Sequence, residues 1–187
     1  MKKKKRVQNK YFFYSDENIK YILFCPTWRK DKRKNLLSIN LKILLNYLPD
    51  NYEIIVKLHP NEAYLRGKYS SIDERIHCFY NEFVDIQELY LISDTMITDY
   101  SSTIFDYTHL NKPIILLQED TQLYTDKVGF YFNIFKLGKF PLAHTNEQRL
   151  AQQLMYFKYS NYSKLTNRLL TKDSQNSSKN IIETIFK

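Results

Sequence analysis

The run Leu91-Ile-Ser-Asp-Thr-Met-Ile-Thr-Asp-Tyr-Ser-Ser-Thr-Ile-Phe-Asp-Tyr107 passes from a short apolar strand, Thr95 to Thr98, into a polar turn that opens a helix led by small hydroxyl residues. A strand that feeds a helix through a tight turn is the repeating unit of an α/β sheet. In such sheets a phosphate sits on the hydroxyls and unpaired backbone N–H groups at the helix start. The turn Asp99-Tyr100-Ser101-Ser102 therefore points to a phosphate-bearing ligand, with a nucleotide donor first among the choices.

Working outward, four more short apolar runs read as strands: Tyr21 to Cys25, ended by Pro26; Glu53 to Leu58, ended by His59-Pro60; Arg75 to Tyr80; and Pro113 to Leu117. Leucines and isoleucines from Leu36 to Leu48 recur at near-helical spacing, and Pro49-Asp50 stops them. Shorter helices are expected over Asp85–Ile92 and Ser101–Leu110, then near Asn146–Phe157, Asn161–Leu170 and Ser177–Phe186. An aromatic-rich loop is expected over Tyr124–Phe135. Strands that alternate with helices and are apolar on both faces predict an α/β fold, a Rossmann-like doubly wound parallel sheet. It is expected over residues 19–187, after a basic tail or linker over residues 1–18.

The bulk numbers narrow the function classes. The chain has 187 residues, enough for one domain with a real core, and 43% hydrophobic with 26% charged residues is ordinary for a globular protein. Only 3 glycines are present, and Gly67, Gly129 and Gly138 form neither a Walker nor a GxGxxG loop. A phosphate site here must use hydroxyls and helix N–H groups. Cys25 and Cys78 sit in apolar runs and imply a reducing compartment rather than a disulfide framework. No HExxH or Cys/His cluster supports a metal, and no Gly-x-Ser-x-Gly elbow supports a serine hydrolase. The net charge of +8 suits an anionic partner, and Lys2-Lys-Lys-Lys-Arg6 supplies part of it. That run reads as a solvated tail, with attraction to an anionic membrane surface as the functional alternative and nucleic acid third.

Ligands of open α/β sheets bind beyond the carboxyl ends of the strands, where the unusual residues cluster: Thr27 and Arg29 after the first strand, His59 after the second, Asp99 to Ser102 after the fourth and Gln118 to Asp120 after the fifth. Arg29 can grip a phosphate bidentately. His59 is either a loop residue with a hydrogen-bonding role or a donor to a departing pyrophosphate oxygen. Ser101 and Ser102, with Thr98 and Thr103, exceed what simple capping needs. Asp99 orders the turn or binds a hydroxyl, since a carboxylate beside a phosphate is repulsive. Asp106, two helical turns on, faces the cleft or solvent. Trp28 reads as a packing residue, with stacking on a base as the alternative.

Taken together, Pro26-Thr-Trp-Arg29, His59-Pro60, the Ser93-Asp94 to Asp106-Tyr107 block, Asn111-Lys-Pro-Ile114 and Gly129-Phe-Tyr-Phe132 resemble the donor-nucleotide half of the CDP-glycerol glycerophosphotransferase family. These are the teichoic-acid and capsule polymerases of GT-B fold. The resemblance implies transfer of glycerol phosphate or a related polyol phosphate from a CDP-linked donor to a polyol-phosphate or glycan acceptor. The work would be done in the cytoplasm, peripherally at the inner membrane face. It maps the donor-side histidine to His59, the phosphate turn to Ser101 and Ser102, and the loop arginine to Arg29, and puts the base near the Tyr80–Asp85 loop. It implies direct displacement at phosphorus without metal or cofactor. Family members carry a preceding α/β domain with acceptor contacts and a second histidine, and this chain begins where their interdomain linker should lie. The expectation is therefore a donor-binding domain that needs an N-terminal partner domain or chain. The alternatives are another GT-B transferase using a UDP- or CMP-sugar, and a non-catalytic nucleotide-binding remnant.

Overall fold

The computed structural model describes residues 2–12, 16–28, 39–80, 84–158, 161–170 and 176–186. Five strands form one parallel sheet: β1 (Lys20–Cys25), β2 (Tyr52–Lys57), β3 (Ile76–Phe79), β4 (Thr95–Thr98) and β5 (Ile114–Leu116). Each matches its sequence expectation to within one residue at either end, and their order is β3-β2-β1-β4-β5. β1 is central, with Ile22 beside Ile54 on one side and beside Thr95 on the other.

Around the sheet run α1 (Lys2–Phe12), α2 (Leu41–Asn46), α3 (Arg66–Ser70), α4 (Ile86–Ile92), α5 (Thr103–Thr108), α6 (Thr121–Lys127), α7 (Glu147–Tyr156), α8 (Ser163–Leu169) and α9 (Ser177–Ile185). The two-residue period of the strands divides the core into two layers. Tyr21, Leu23, Cys25, Met96 and Leu116 face α1, α4, α5 and α8. Ile22, Phe24, Val56, Ile97 and Ile115 face α2 and α7. Burial on both faces explains why the strands read as unbroken apolar runs.

Three segments differ from the sequence expectation. The basic run is no solvated tail: it lies in α1, with Val7 and Phe12 in the core and Phe12 stacked on Tyr21 at 5.1 Å. Burying those two side chains contributes on the order of 2 kcal/mol each. Gln8 is also buried and donates to the Asp16 carbonyl. Lys4 pairs with Asp94 at 3.5 Å, Lys5 with Glu17 at 3.1 Å and Lys10 with Glu88 at 2.5 Å. Val7 and Phe12, five positions apart among charges, gave too narrow an apolar stripe to announce a docked helix. The second difference is α2, whose observed start is Leu41. The Asn40 side chain caps it by accepting from the Lys42 and Ile43 N–H groups, while Leu36 and Leu37 lie outside the described residues. Third, α6 overlaps the start of the expected aromatic loop, held there by Tyr124 against Tyr100 rather than by an apolar stripe. No helix among the described residues is long and apolar enough to cross a membrane.

Candidate functional site

The chain builds β2 and β3 on one side of β1, then crosses to lay down β4 and β5 on the other. The switch point thus falls between β1 and β4, and their carboxyl ends open a crevice of the kind in which doubly wound sheets bind ligands. Thr27 follows β1 and Asp99 follows β4, and these two residues tie the rims together. Asp99 Oδ1 accepts the Thr27 N–H at 2.8 Å, the Thr27 hydroxyl at 2.5 Å and the Tyr100 N–H at 2.7 Å. At 8% exposure, Asp99 is a brace inside the turn, and its carboxylate serves the protein's own donors. Thr98 is wholly buried and its hydroxyl donates to the Cys25 carbonyl. That places Thr98 away from the crevice surface, against the expectation that it binds phosphate: as the last residue of β4 it points into the sheet.

The turn itself presents two serines differently. Ser101 Oγ accepts from the Thr103 N–H at 3.3 Å and from the Thr103 hydroxyl at 3.0 Å, so Ser101 supplies the local cap. Ser102 holds the N-cap position of α5 but its exposed side chain makes no capping bond. Among the described residues no hydrogen bond occupies the N–H groups of Ser101 and Ser102. Two unpaired N–H groups and a hydroxyl at a helix start are donors suited to an anionic oxygen. Asp106 is exposed further along α5, consistent with the solvent-facing alternative.

His59 stands at the end of β2, exposed, and caps the 3₁₀ turn Pro60–Leu65. Its Nδ1 accepts the Asn61 N–H at 3.2 Å. In the neutral ring the proton is therefore on Nε2, the nitrogen left to meet a ligand as a donor. The Trp28 ring lies over His59, with centroids 5.7 Å apart and planes 24° apart. Trp28 is thus a backing plate for the histidine, a role the sequence reading missed because nothing in linear spacing pairs the ends of β1 and β2. Lys57, two residues before His59, is half-buried, and burial pulls its pKa below the usual lysine value.

The loop after β5 holds the turn from the far side. Gln118 Nε2 donates to the Asp99 carbonyl at 2.9 Å. The Tyr100 hydroxyl donates to Asp120 at 3.0 Å, its ring stacks on Tyr124 at 3.8 Å, and burial pushes its pKa up to about 12. Gln118, expected at a strand end, thus joins Tyr100 and Tyr124 in a second set of supports, of which sequence alone did not single out the stacking of Tyr124 on Tyr100. Arg29, the cationic residues Lys30, Lys32, Arg33 and Lys34 that follow it in sequence, and residues 81–83 of the expected base loop lie outside the described residues. Among the described residues no group of three His, Cys, Asp or Glu side chains is placed to hold a metal ion.

The family described as CDP-Glycerol:Poly(glycerophosphate) glycerophosphotransferase matches residues 1–187. The teichoic acid poly(glycerol phosphate) polymerase of Bacillus spizizenii is 33% identical over 184 residues, covering 89% of this chain and 44% of that protein. The same organism's teichoic acid poly(ribitol-phosphate) polymerase is 35% identical over 157 residues, covering 79% of this chain and 24% of that protein. The structure of the wall teichoic acid polymerase TagF superposes with a TM-score of 0.72 at 27% identity, covering 100% of this chain and 47% of that one. A UDP-GlcNAc 2-epimerase from Neisseria meningitidis shares the fold, with a TM-score of 0.60 at 24% identity and coverage of 98% of this chain and 48% of that one. The chain spans less than half the length of these relatives.

Proposed function

The chain belongs to the CDP-glycerol:poly(glycerophosphate) glycerophosphotransferase family, and we propose that it binds a CDP-linked polyol and presents it for transfer of polyol phosphate to a polyol-phosphate or glycan acceptor. The observation that carries this reading is the open end of α5: the unpaired Ser101 and Ser102 N–H groups and the Ser102 hydroxyl, in the turn after β4, one of the two strands that flank the sheet's switch point. Those donors suit a pyrophosphate, and His59, at the end of β2 on the other side of β1, would offer Nε2–H to the same group.

In this reading an acceptor hydroxyl oxygen attacks the phosphorus that carries the polyol. The new P–O bond forms as the bond to the bridging oxygen breaks, and CMP leaves with that electron pair. The proton of the attacking hydroxyl goes to a base on the acceptor side, which the expected partner domain would supply. This chain's part is positioning and stabilisation: the α5 donors and His59 meet charge that grows on the leaving phosphate. Trp28 and Asn61 hold the imidazole so that Nε2 faces outward. Arg29 is retained in the proposal as a phosphate contact. We place the work in the cytoplasm, peripherally at the inner face of the membrane, as the resemblance to the family implies.

The test is protection against thermal unfolding by CDP-glycerol, CDP-ribitol and UDP-sugars, followed by CMP release from the best donor with and without acceptor. A CDP-polyol should raise the melting temperature. A response to UDP-sugars alone would replace this reading with the sugar-transferase alternative, since a shared scaffold does not fix the donor.

A further inference from the structure

The helix that follows β5 has little of its own to hold it in place. α6 has 7 residues, Thr121–Lys127, and its Asp120 cap makes no side-chain bond. Helices so short are marginal in water and take their order from packing. Yet α6 buries none of its residues, so neither core layer supplies that packing.

What it touches is Tyr100, the residue before Ser101. The Tyr124 ring stacks on Tyr100 with centroids 3.8 Å apart and planes 15° apart. The Tyr100 hydroxyl donates to Asp120 at 3.0 Å and reaches the Thr121 hydroxyl at 3.3 Å. After α6, the Val128 and Gly129 N–H groups both donate to the Tyr124 carbonyl, at 2.8 and 3.1 Å. Gly129 takes a φ of 79° there, which a residue without a Cβ adopts at little cost. The reversed chain then lays the Phe130 ring 5.7 Å from Tyr100 and 5.3 Å from Tyr124.

Tyr100 is held on its backbone as well. The Asp99–Tyr100 peptide is fixed at both edges: its N–H donates to Asp99 Oδ1 at 2.7 Å, and its carbonyl accepts from Gln118 Nε2 at 2.9 Å. The next peptide carries the unpaired Ser101 N–H, and being planar it turns only about the torsions that flank it. A Tyr100 ring held in a stack and at its hydroxyl removes much of that freedom, so the direction of the Ser101 N–H is set partly from α6. Donors ordered in advance bind an anion better than donors that must first be ordered.

We propose that Tyr100 is a positioning residue for the turn Asp99–Ser102 and that α6 is its clasp: docking of α6 on Tyr100 orders the Ser101 and Ser102 N–H groups for the pyrophosphate, and the bound donor in turn holds α6 down. The proposal rests on a CDP-linked donor at that turn. Coupling between two binding events is reciprocal. The factor by which a docked α6 tightens the donor is therefore the factor by which the donor tightens the docking.

Two measurements on the full chain read that factor. Tyr124→Leu removes the stack and keeps an apolar side chain. It should weaken CDP-glycerol in titration calorimetry by about three- to tenfold, the worth of one aromatic pair. Its melting temperature should stay within about 2 °C of the unaltered chain, since no core contact is lost. Tyr124→Phe keeps the stack and should restore the affinity. In the unaltered chain, saturating CDP-glycerol should slow amide exchange over residues 121–127 by the same factor, about three- to tenfold, while α7 keeps its rate. A stack that only held the fold together would give α6 no donor-dependent protection. Unchanged affinity in Tyr124→Leu, or α6 exchange indifferent to the donor, would overturn the clasp and leave the donor reading standing. A melting temperature lowered by more than about 5 °C would make the stack part of the fold's own support and overturn the clasp as well. Failure of Tyr124→Phe to recover binding would overturn the ring as the link. No binding of CDP-glycerol by the unaltered chain would overturn the donor reading and the clasp together.

Discussion

Asp99→Asn separates a brace from a ligand contact. Asp99 Oδ1 accepts three donors, the Thr27 N–H, the Thr27 hydroxyl and the Tyr100 N–H, at 2.5 to 2.8 Å. Hydrogen bonds to a charged group contribute about 1.5–3 kcal/mol each, against about 0.5–1.5 for neutral pairs. Asparagine keeps an acceptor oxygen in place but removes the charge, and the three bonds are not additive because they share one oxygen. The expected loss is about 1–2 kcal/mol, which for a domain of this size lowers the melting temperature by roughly 2–8 °C. Calorimetric melting would read that shift, and titration with CDP-glycerol well below the transition would read affinity. Affinity should change less than about threefold, because the carboxylate serves the protein rather than the donor. An unchanged melting temperature with a tenfold or greater loss of affinity would refute the reasoning and make Asp99 a ligand contact.

Ser102→Ala should leave the melting temperature unchanged, since that hydroxyl caps nothing, and weaken CDP-glycerol about 2–10-fold, the worth of one hydrogen bond; titration calorimetry checks both. Trp28→Ala should slow CMP release more than it weakens donor binding, because it loosens His59 without removing it; a kcat-against-KM comparison decides. The Lys10 ammonium and Tyr11 hydroxyl beside Glu88 hold its carboxyl below the usual range. A depressed folded value means that this anchor of α1 is fully present above the unfolded value near 4.5 and is lost as pH falls through the folded one. Amide exchange, corrected for its intrinsic pH dependence, should show residues 2–12 released in acid before the sheet, and Glu88→Gln should reproduce the release near neutrality. Gly138→Ala should lower the melting temperature by several degrees as its Cβ meets the Phe140 ring.

The strands were legible because burial on both faces makes each an apolar run bounded by a turn signal, as Pro26, His59-Pro60 and Asp99 show at three carboxyl ends. The placement of candidate residues at those ends followed from the same reading. What linear spacing could not carry was the pairing across strands. That Asp99 would turn to Thr27 depends on β4 lying beside β1, and that Trp28 would cover His59 depends on β2 lying there too. Thr98 was misjudged for the related reason that a strand's last residue points to one face or the other, and its side chain turned inward to the Cys25 carbonyl. In α1 the charges outweighed the two apolar residues that dock it. The residues from Asn40 onward show how a single capping side chain sets a helix start that leucine spacing alone overextends.

The account turns on a CDP-linked donor held at the open end of α5, and titration calorimetry of this chain with CDP-glycerol beside UDP-N-acetylglucosamine tests it most directly. The account predicts one site for CDP-glycerol, weakened by Ser102→Ala, and no heat from the UDP-sugar. Equal binding of the two, or binding of the UDP-sugar alone, would contradict it.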